Sequence, residues 1–172
     1  MIISDVNLLL YAYDSQSPFH SKAAAWWQAC LSGSEPIGLL HVVLFGFVRI
    51  GTNPRAFRNP LTCTEAVAHV RSWLRQAPVQ VLELGPNHVE EVLKLLEHLG
   101  AAGNLVTDAQ IAALAIEHSG ILHTADSQFV RFPGLRWFNP LTGAGHASLR
   151  KLHPPKVRAE GCKQKIFPFC AP

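Results

Sequence analysis

Met1-Ile2-Ile3-Ser4-Asp5 opens the chain, and Val6-Asn7-Leu8-Leu9-Leu10-Tyr11-Ala12 follows it directly. The first stretch is a short apolar run that meets water at one carboxylate; the second at once takes up a helical pattern. A strand that ends in an acid and passes straight into a helix is the opening unit of an open α/β sheet. Ligands of such sheets gather where strands end and helices begin. Asp5 belongs in that crevice, and the groups that join it there decide the chemistry.

Working outward, apolar stretches alternate with helical ones. Ile37-Gly38-Leu39 is a brief second strand, Val79 to Leu84 the clearest strand pattern, Ile121 to Thr124 a fourth, and Leu135 to Phe138 a last edge strand. Helices are expected over His20–Leu31 (Ala23, Trp26, Trp27 and Cys30 at helical spacing), over His41–Ile50 with Gly51 as C-cap, and from about Thr64 to Gln76 with Glu65 in the first turn. Two more run from a first-turn Pro86 to about Leu99 and from about Thr107 to Ser119, and a short turn extends through Phe129. Strands alternating with helices give an α/β fold: an open parallel sheet flanked by helices on both faces, with right-handed crossovers.

The 172 residues suffice for one domain with a sizeable core. No apolar run approaches the ~20 residues of a membrane span, and no basic stretch precedes an apolar core at the start, so a cytoplasmic protein is expected. The net charge of +3 conceals an asymmetry. Residues 143–172 carry six of the fifteen Lys and Arg but one acid, Glu160, a net of +5; nine basic against eleven acidic residues leave residues 1–142 at −2. The folded unit is therefore read as 1–142, and 143–172 as a flexible tail or an added segment, with a native arm touching nucleic acid or a partner as the alternative. None of the four cysteines forms a CxxC pair, which argues against zinc and for idle or buried reduced thiols.

Two further acids stand where Asp5 stands. Asp108 lies near the start of a helix in Gly103-Asn104-Leu105-Val106-Thr107-Asp108, and Asp126 directly past a strand in His123-Thr124-Ala125-Asp126. In a doubly wound sheet all three face the carboxyl edge. Carboxylates that close would repel, and a hard divalent ion, Mg²⁺ or Mn²⁺, resolves the repulsion while keeping water for a phosphate substrate. Each acid alone also fits a plain capping role.

The segments IISDVNLLLYA, FVRIGTNPRAF, GNLVTDAQIAALAIEHSG and HTADSQFVRFPGLRWFNPL together resemble PIN-domain ribonucleases, and among them the VapC-type toxins of bacterial toxin–antitoxin pairs. The resemblance implies a PIN-like fold over residues 1 to about 142 and a Mg²⁺- or Mn²⁺-dependent endoribonuclease. It further implies a homodimer acting on structured RNA, tRNA above all, and neutralised by a VapB-type antitoxin. The family's first, third and fourth acids match Asp5, Asp108 and Asp126. Its usual second acid, three residues before Arg49, is here Gly46, and the Asp that often follows two residues after the fourth acid is here Gln128. Gln128, Asn7, Asn104, Thr124 and Ser127 are candidates to orient the carboxylates or water. Arg49, Arg55 and Arg58 are candidates to meet RNA phosphates or an antitoxin's acidic tail. Trp26, Trp27 and Trp73 are expected in the core or a dimer face rather than under bases.

Two other classes stay open. A phospho-acceptor signalling domain also carries acids at a parallel sheet's edge, but needs a lysine there, and only Lys22 and Lys94 precede the tail. A PIN-like module that has lost catalysis and only binds is kept open by Gly46.

Overall fold

A computed structural model describes residues 1–146. Six strands form one sheet: β1 (Ile2–Ser4), β2 (Ile37–Leu39), β3 (Val79–Val81), β4 (Ile121–His123), β5 (Trp137–Asn139) and β6 (Ala144–Gly145). Their spatial order is β3-β2-β1-β4-β5-β6, all parallel except β6, which runs antiparallel to β5. β1 is central, with Ile3 opposite Gly38 on one side and Leu122 on the other. Ile3, Ile37, Leu39 and Leu122 are fully buried, as strands covered on both faces require.

Six helices connect the strands: α1 (Val6–Tyr13), α2 (His20–Ser32), α3 (His41–Gly51), α4 (Cys63–Leu74), α5 (His88–Leu99) and α6 (Leu105–Glu117). A 3₁₀ turn covers Ser127–Arg131. α1 packs on α2 and α3, and α3 on α4, whereas α5 packs on α6. From β1 through β3 the chain steps one way across the sheet; after β3 it returns across β2 and β1 to reach β4. Right-handed crossovers therefore put α1–α4 on one face and α5–α6 on the other, the two-sided arrangement expected from the alternation.

The tryptophans anchor the first layer. Trp27 and Trp73 are fully buried and meet edge-on with ring centres 5.6 Å apart; Phe47 and Tyr13 close round Trp73. Burial pushes the Tyr13 hydroxyl up to about 12, outweighing the lowering effect of the hydrogen bond from the Trp73 indole, so it stays a neutral part of this cluster. Cys30 is buried too, its thiol raised to about 12 chiefly by desolvation; Cys63 is exposed.

Several element boundaries differ from expectation for local reasons. α4 starts at Cys63 because Thr62, not Thr64, caps it: Thr62 Oγ1 accepts from the Glu65 amide while the Glu65 carboxylate accepts from the Thr62 amide. Gly51 stays helical and Thr52 caps α3, its hydroxyl donating to the Val48 carbonyl. α5 begins at His88, two residues past Pro86, and ends at a left-handed Gly100 (φ 62°). β3 stops at Val81; Leu82 still donates to the Leu39 carbonyl, but the Glu83 carbonyl accepts from His118 instead of a strand. α6 begins two residues before Thr107, which moves Asp108 to the end of its first turn. β5 is no edge strand, because β6 pairs outside it. The sheet thus continues to Gly145, past the boundary read at 142. The rest of the basic tail, with Cys162 and Cys170, lies outside the described residues.

Candidate active site

The strand order fixes where a site belongs. β1 and β4 are neighbours, yet the chain leaves β1 toward one edge of the sheet and β4 toward the other. The gap above their carboxyl ends is the switch point at which doubly wound sheets bind ligands. Asp5 follows β1 directly and Thr124–Asp126 follow β4. α6 runs back against the strands into β4, so its first turn, with Asp108, lies at the same edge.

Asp5 is buried and caps α1. Its Oδ1 accepts from the Val6 amide at 2.6 Å, its Oδ2 accepts from Thr124 Oγ1 at 2.7 Å, and its own amide donates to the His123 carbonyl. Thr124 is the hub of the site: besides donating to Asp5, its Oγ1 accepts from Asn7 Nδ2 at 3.2 Å and from the Asp126 amide at 3.0 Å. Asn7 Oδ1 accepts from the Ala125 amide at 3.3 Å, a second tie between the segments after β1 and β4. Asp126 caps the 3₁₀ turn, its Oδ1 accepting from the Gln128 amide at 2.8 Å. One hydroxyl thus sets the spacing of two acids that are 121 residues apart in the chain.

Electrostatics bring in the third acid. Burial pushes the Asp5 carboxyl from 3.8 to about 6, against the lowering effect of the Thr124 and Val6 hydrogen bonds, and the charges of Asp108 and Asp126 push it further up. Asp108 is raised as well, first by desolvation and then by Asp126. The three carboxylates therefore share one field. Among the described residues, however, no three His, Cys, Asp or Glu side chains close tightly round a single point. The donor set is all oxygen, which suits Mg²⁺ or Mn²⁺, ions that commonly take one or two carboxylates and complete their shell with water and substrate oxygens.

The remaining candidates divide. Of the candidates to orient the carboxylates, Thr124 bonds the Asp5 carboxylate directly and Asn7 bonds Thr124 and the Ala125 amide. Asn104 stands exposed at the head of α6 without capping it, and Ser127 is an exposed first residue of the 3₁₀ turn. The Gln128 side-chain oxygen accepts from Arg131 Nη1 at 3.2 Å, so it is turned to the guanidinium rather than free for a metal. Gly46 lies against α1: a Cβ there would meet Val6 Cγ2 at 3.5 Å, ordinary contact. Arg49, in the last turn of α3, and Arg55 and Arg58 in the loop after it are exposed. Neither lysine that precedes the tail serves a phospho-acceptor: Lys22 reaches the Leu141 carbonyl and Lys94 pairs with Glu91.

Sequence reasoning missed His123. It is buried at the end of β4, with its Nδ1 accepting from the Trp26 indole at 3.1 Å and its ring between Trp26 and Phe138. Its carbonyl holds the Asp5 amide, so this aromatic floor fixes the strand end from which Thr124 and Asp126 project. The only signal was a polar residue inside an apolar strand.

Comparison with known proteins agrees with this geometry. The PIN domain profile matches residues 2–135. Ribonuclease VapC33 of Mycobacterium tuberculosis is 47% identical over 141 residues, covering 82% of this chain and 99% of that protein. Ribonuclease VapC37 of the same organism is 36% identical over 140 residues, covering 81% and 97%. Among solved structures, M. tuberculosis VapC20, described as a sarcin-ricin loop cleaving toxin, superposes with a TM-score of 0.59 at 15% identity over 79% of this chain and 99% of that one. VapBC2 from Rickettsia felis, bound to a DNA fragment from its promoter, gives 0.55 at 19% identity over 81% and 98%. At those identities the structures speak for the fold, and the close relatives for the family. With its acids at the β1/β4 switch point and its sequence matching these relatives over nearly the whole of their length, the chain belongs to the VapC ribonucleases of the PIN-domain family.

Proposed function

We propose that this protein is an endoribonuclease toxin that hydrolyses phosphodiester bonds in structured RNA, tRNA or another RNA of translation, using Mg²⁺ or Mn²⁺ held by Asp5, Asp108 and Asp126. The observation that carries the reading is the coupling of three acids at the switch point, two of them spaced by the Thr124 hydroxyl. It contains no nucleophilic Ser or Cys arrangement; an all-carboxylate site acts through a bound ion and water. A bound divalent ion supplies a water activated for attack on phosphorus and charge neutralisation at the departing oxygen. The chain's own residues do the rest. Thr124 and the Val6 amide hold the Asp5 carboxylate in one orientation and favour its ionised form against its burial. Asp126 is fixed by its amide on Thr124 Oγ1 and by its Oδ1 on the Gln128 amide. Gly46 supplies no fourth charge, so metal affinity below that of a four-acid site is expected.

A VapB-type antitoxin is the natural partner. The structural neighbours include toxin–antitoxin complexes from R. felis and of FitAB, and the close relatives bear the VapC name. Arg49, Arg55 and Arg58 offer cationic contacts to RNA phosphates or to acids of that antitoxin. We further infer a homodimer working in the cytoplasm; no helix among the described residues is long and apolar enough to cross a membrane. The test is cleavage of total tRNA and ribosomal RNA by the purified protein with Mg²⁺. Asp5→Asn and Asp126→Asn should each abolish cutting, and induced expression should arrest growth unless a neighbouring small open reading frame is co-expressed. Wild-type cleavage by both variants would refute the assignment.

A further inference from the structure

The least expected side chain on this protein is Phe45. It is 68% exposed in the middle of α3, a helix whose apolar sequence otherwise suggests burial on most sides. His41 lies one turn before it, its ring centre 6.4 Å away at a tilt of 32°, and Arg49 one turn after it. All three are exposed, so they form a single outward row at four-residue spacing. The row is not remote from the acids. Gly46, the next residue, abuts Val6, and Val6 follows Asp5 and donates to its carboxylate. With no side chain at Gly46, nothing stands between this helix and the first turn of α1.

The formal charge along this stretch of chain has one sign. From Pro36 to Thr64 the sequence contains no Asp or Glu, while Arg49, Arg55 and Arg58 all fall within that span. Exposed aromatic rings flanked by cations, leading to an acid site, match the requirement of a single-stranded nucleic acid: a π-face for each base and cations for the phosphates between them. An apolar protein partner would use Phe45 but leave three arginines to be paired separately. The chain's tryptophans do not compete for this role, since Trp26, Trp27 and Trp73 are buried.

We propose that the row His41–Phe45–Arg49 on α3 is a base-stacking platform that receives unpaired nucleotides of the RNA substrate and leads its backbone past Gly46 to the acids. This rests on the ribonuclease reading and names a substrate-contact surface within it. Phe45 and His41 stack on bases; Arg49 meets a phosphate.

The experiment measures binding of the full-length protein to a labelled single-stranded oligoribonucleotide and to the same backbone carrying abasic residues, with Ca²⁺ replacing Mg²⁺ to prevent cutting. Stacking on an aromatic side chain is worth about 1–3 kcal/mol per base, so Phe45→Ala should bind the oligonucleotide about 5- to 150-fold more weakly, Phe45→Trp should bind as wild type, and the abasic backbone should not distinguish the three. Arg49→Ala should lower the salt dependence of binding, with a slope smaller by about 1, and Phe45→Ala should leave that slope unchanged. Unchanged affinity of Phe45→Ala overturns the proposal, as does a change in its oligomeric mass or a loss confined to antitoxin binding. If wild type cleaves RNA and Phe45→Ala binds and cleaves it equally well, only the platform fails. If wild type neither binds nor cleaves RNA, the ribonuclease reading fails with it.

Discussion

Asp5 makes the apo protein's stability depend on pH in an unusual direction. Its carboxyl is raised from 3.8 to about 6, so between those values the folded state holds a proton that the unfolded chain has released. Where the native state binds more protons, stability falls as pH rises. A shift of about two units at 1.36 kcal/mol each is worth about 3 kcal/mol in all, and roughly half of it falls between about pH 5 and pH 7.5. Asp108, raised for the same first cause, adds to the trend. Asp5→Asn removes the charge but keeps the shape: the amide oxygen still accepts from Val6, while the Thr124 hydroxyl, its two lone pairs already taken by Asn7 and Asp126, loses its bond to this side chain, a cost that does not vary with pH. In metal-free buffer, wild type should lose about 1.5 kcal/mol relative to Asp5→Asn over that interval, a melting difference of about 3–6 °C for a chain of this size. The assay is thermal or urea unfolding of both proteins in a chelating buffer across the range. Saturating Mg²⁺ should erase the wild-type deficit at neutral pH and do nothing for the variant. Parallel stability curves for the two proteins would refute the reasoning, because the buried carboxylate would then carry no electrostatic cost.

Thr124→Val keeps the side-chain shape but loses every bond of the hub; with hydrogen bonds to charged groups worth about 1.5–3 kcal/mol, unfolding should show a loss of about 2–4 kcal/mol. Because the Thr124 bond lowers the Asp5 pKa, its removal should also move the acid limb of the cleavage profile to higher pH, and Thr124→Ser should restore it. Gly46→Ala should stabilise the protein by about 0.5–1 kcal/mol in urea titrations, since alanine is the better helix former and its Cβ would meet only Val6 at ordinary contact distance. Thr62→Ala removes the hydroxyl that accepts from the Glu65 amide, leaves the Thr62 amide bonded to the Glu65 carboxylate, and should cost about 1 kcal/mol by the same measurement.

The sheet was legible where burial on both faces wrote short stretches led by apolar residues, as at Ile2–Ser4, Ile37–Leu39 and Ile121–His123. Val79–Leu84 was read too long because Leu82 keeps a sheet bond after the strand has ended and Leu84 is exposed in the turn that follows. β6 is two residues held by a turn at a positive-φ Gly143, a pairing that no periodicity can announce. Thr64 and Glu65 were legible as a helix start, yet two threonines competed for the cap and only the Glu65 geometry chooses Thr62. At the site, the positions of Asp5 and Asp126 after strands were readable, but the convergence on Thr124 was not, because it joins segments far apart in sequence. Phe45 was hidden for the opposite reason: an unbroken apolar run does not say which side of its helix lacks a neighbour.

The account stands on a shared hollow for Asp5, Asp108 and Asp126 that takes a hard divalent ion. Calorimetric titration of the apo protein with Mn²⁺ tests this most directly. Wild type should bind at least one ion, and Asp5→Asn, Asp108→Asn and Asp126→Asn should each weaken binding about tenfold or more; a protein that binds no Mn²⁺, or variants that bind it as wild type does, would contradict it.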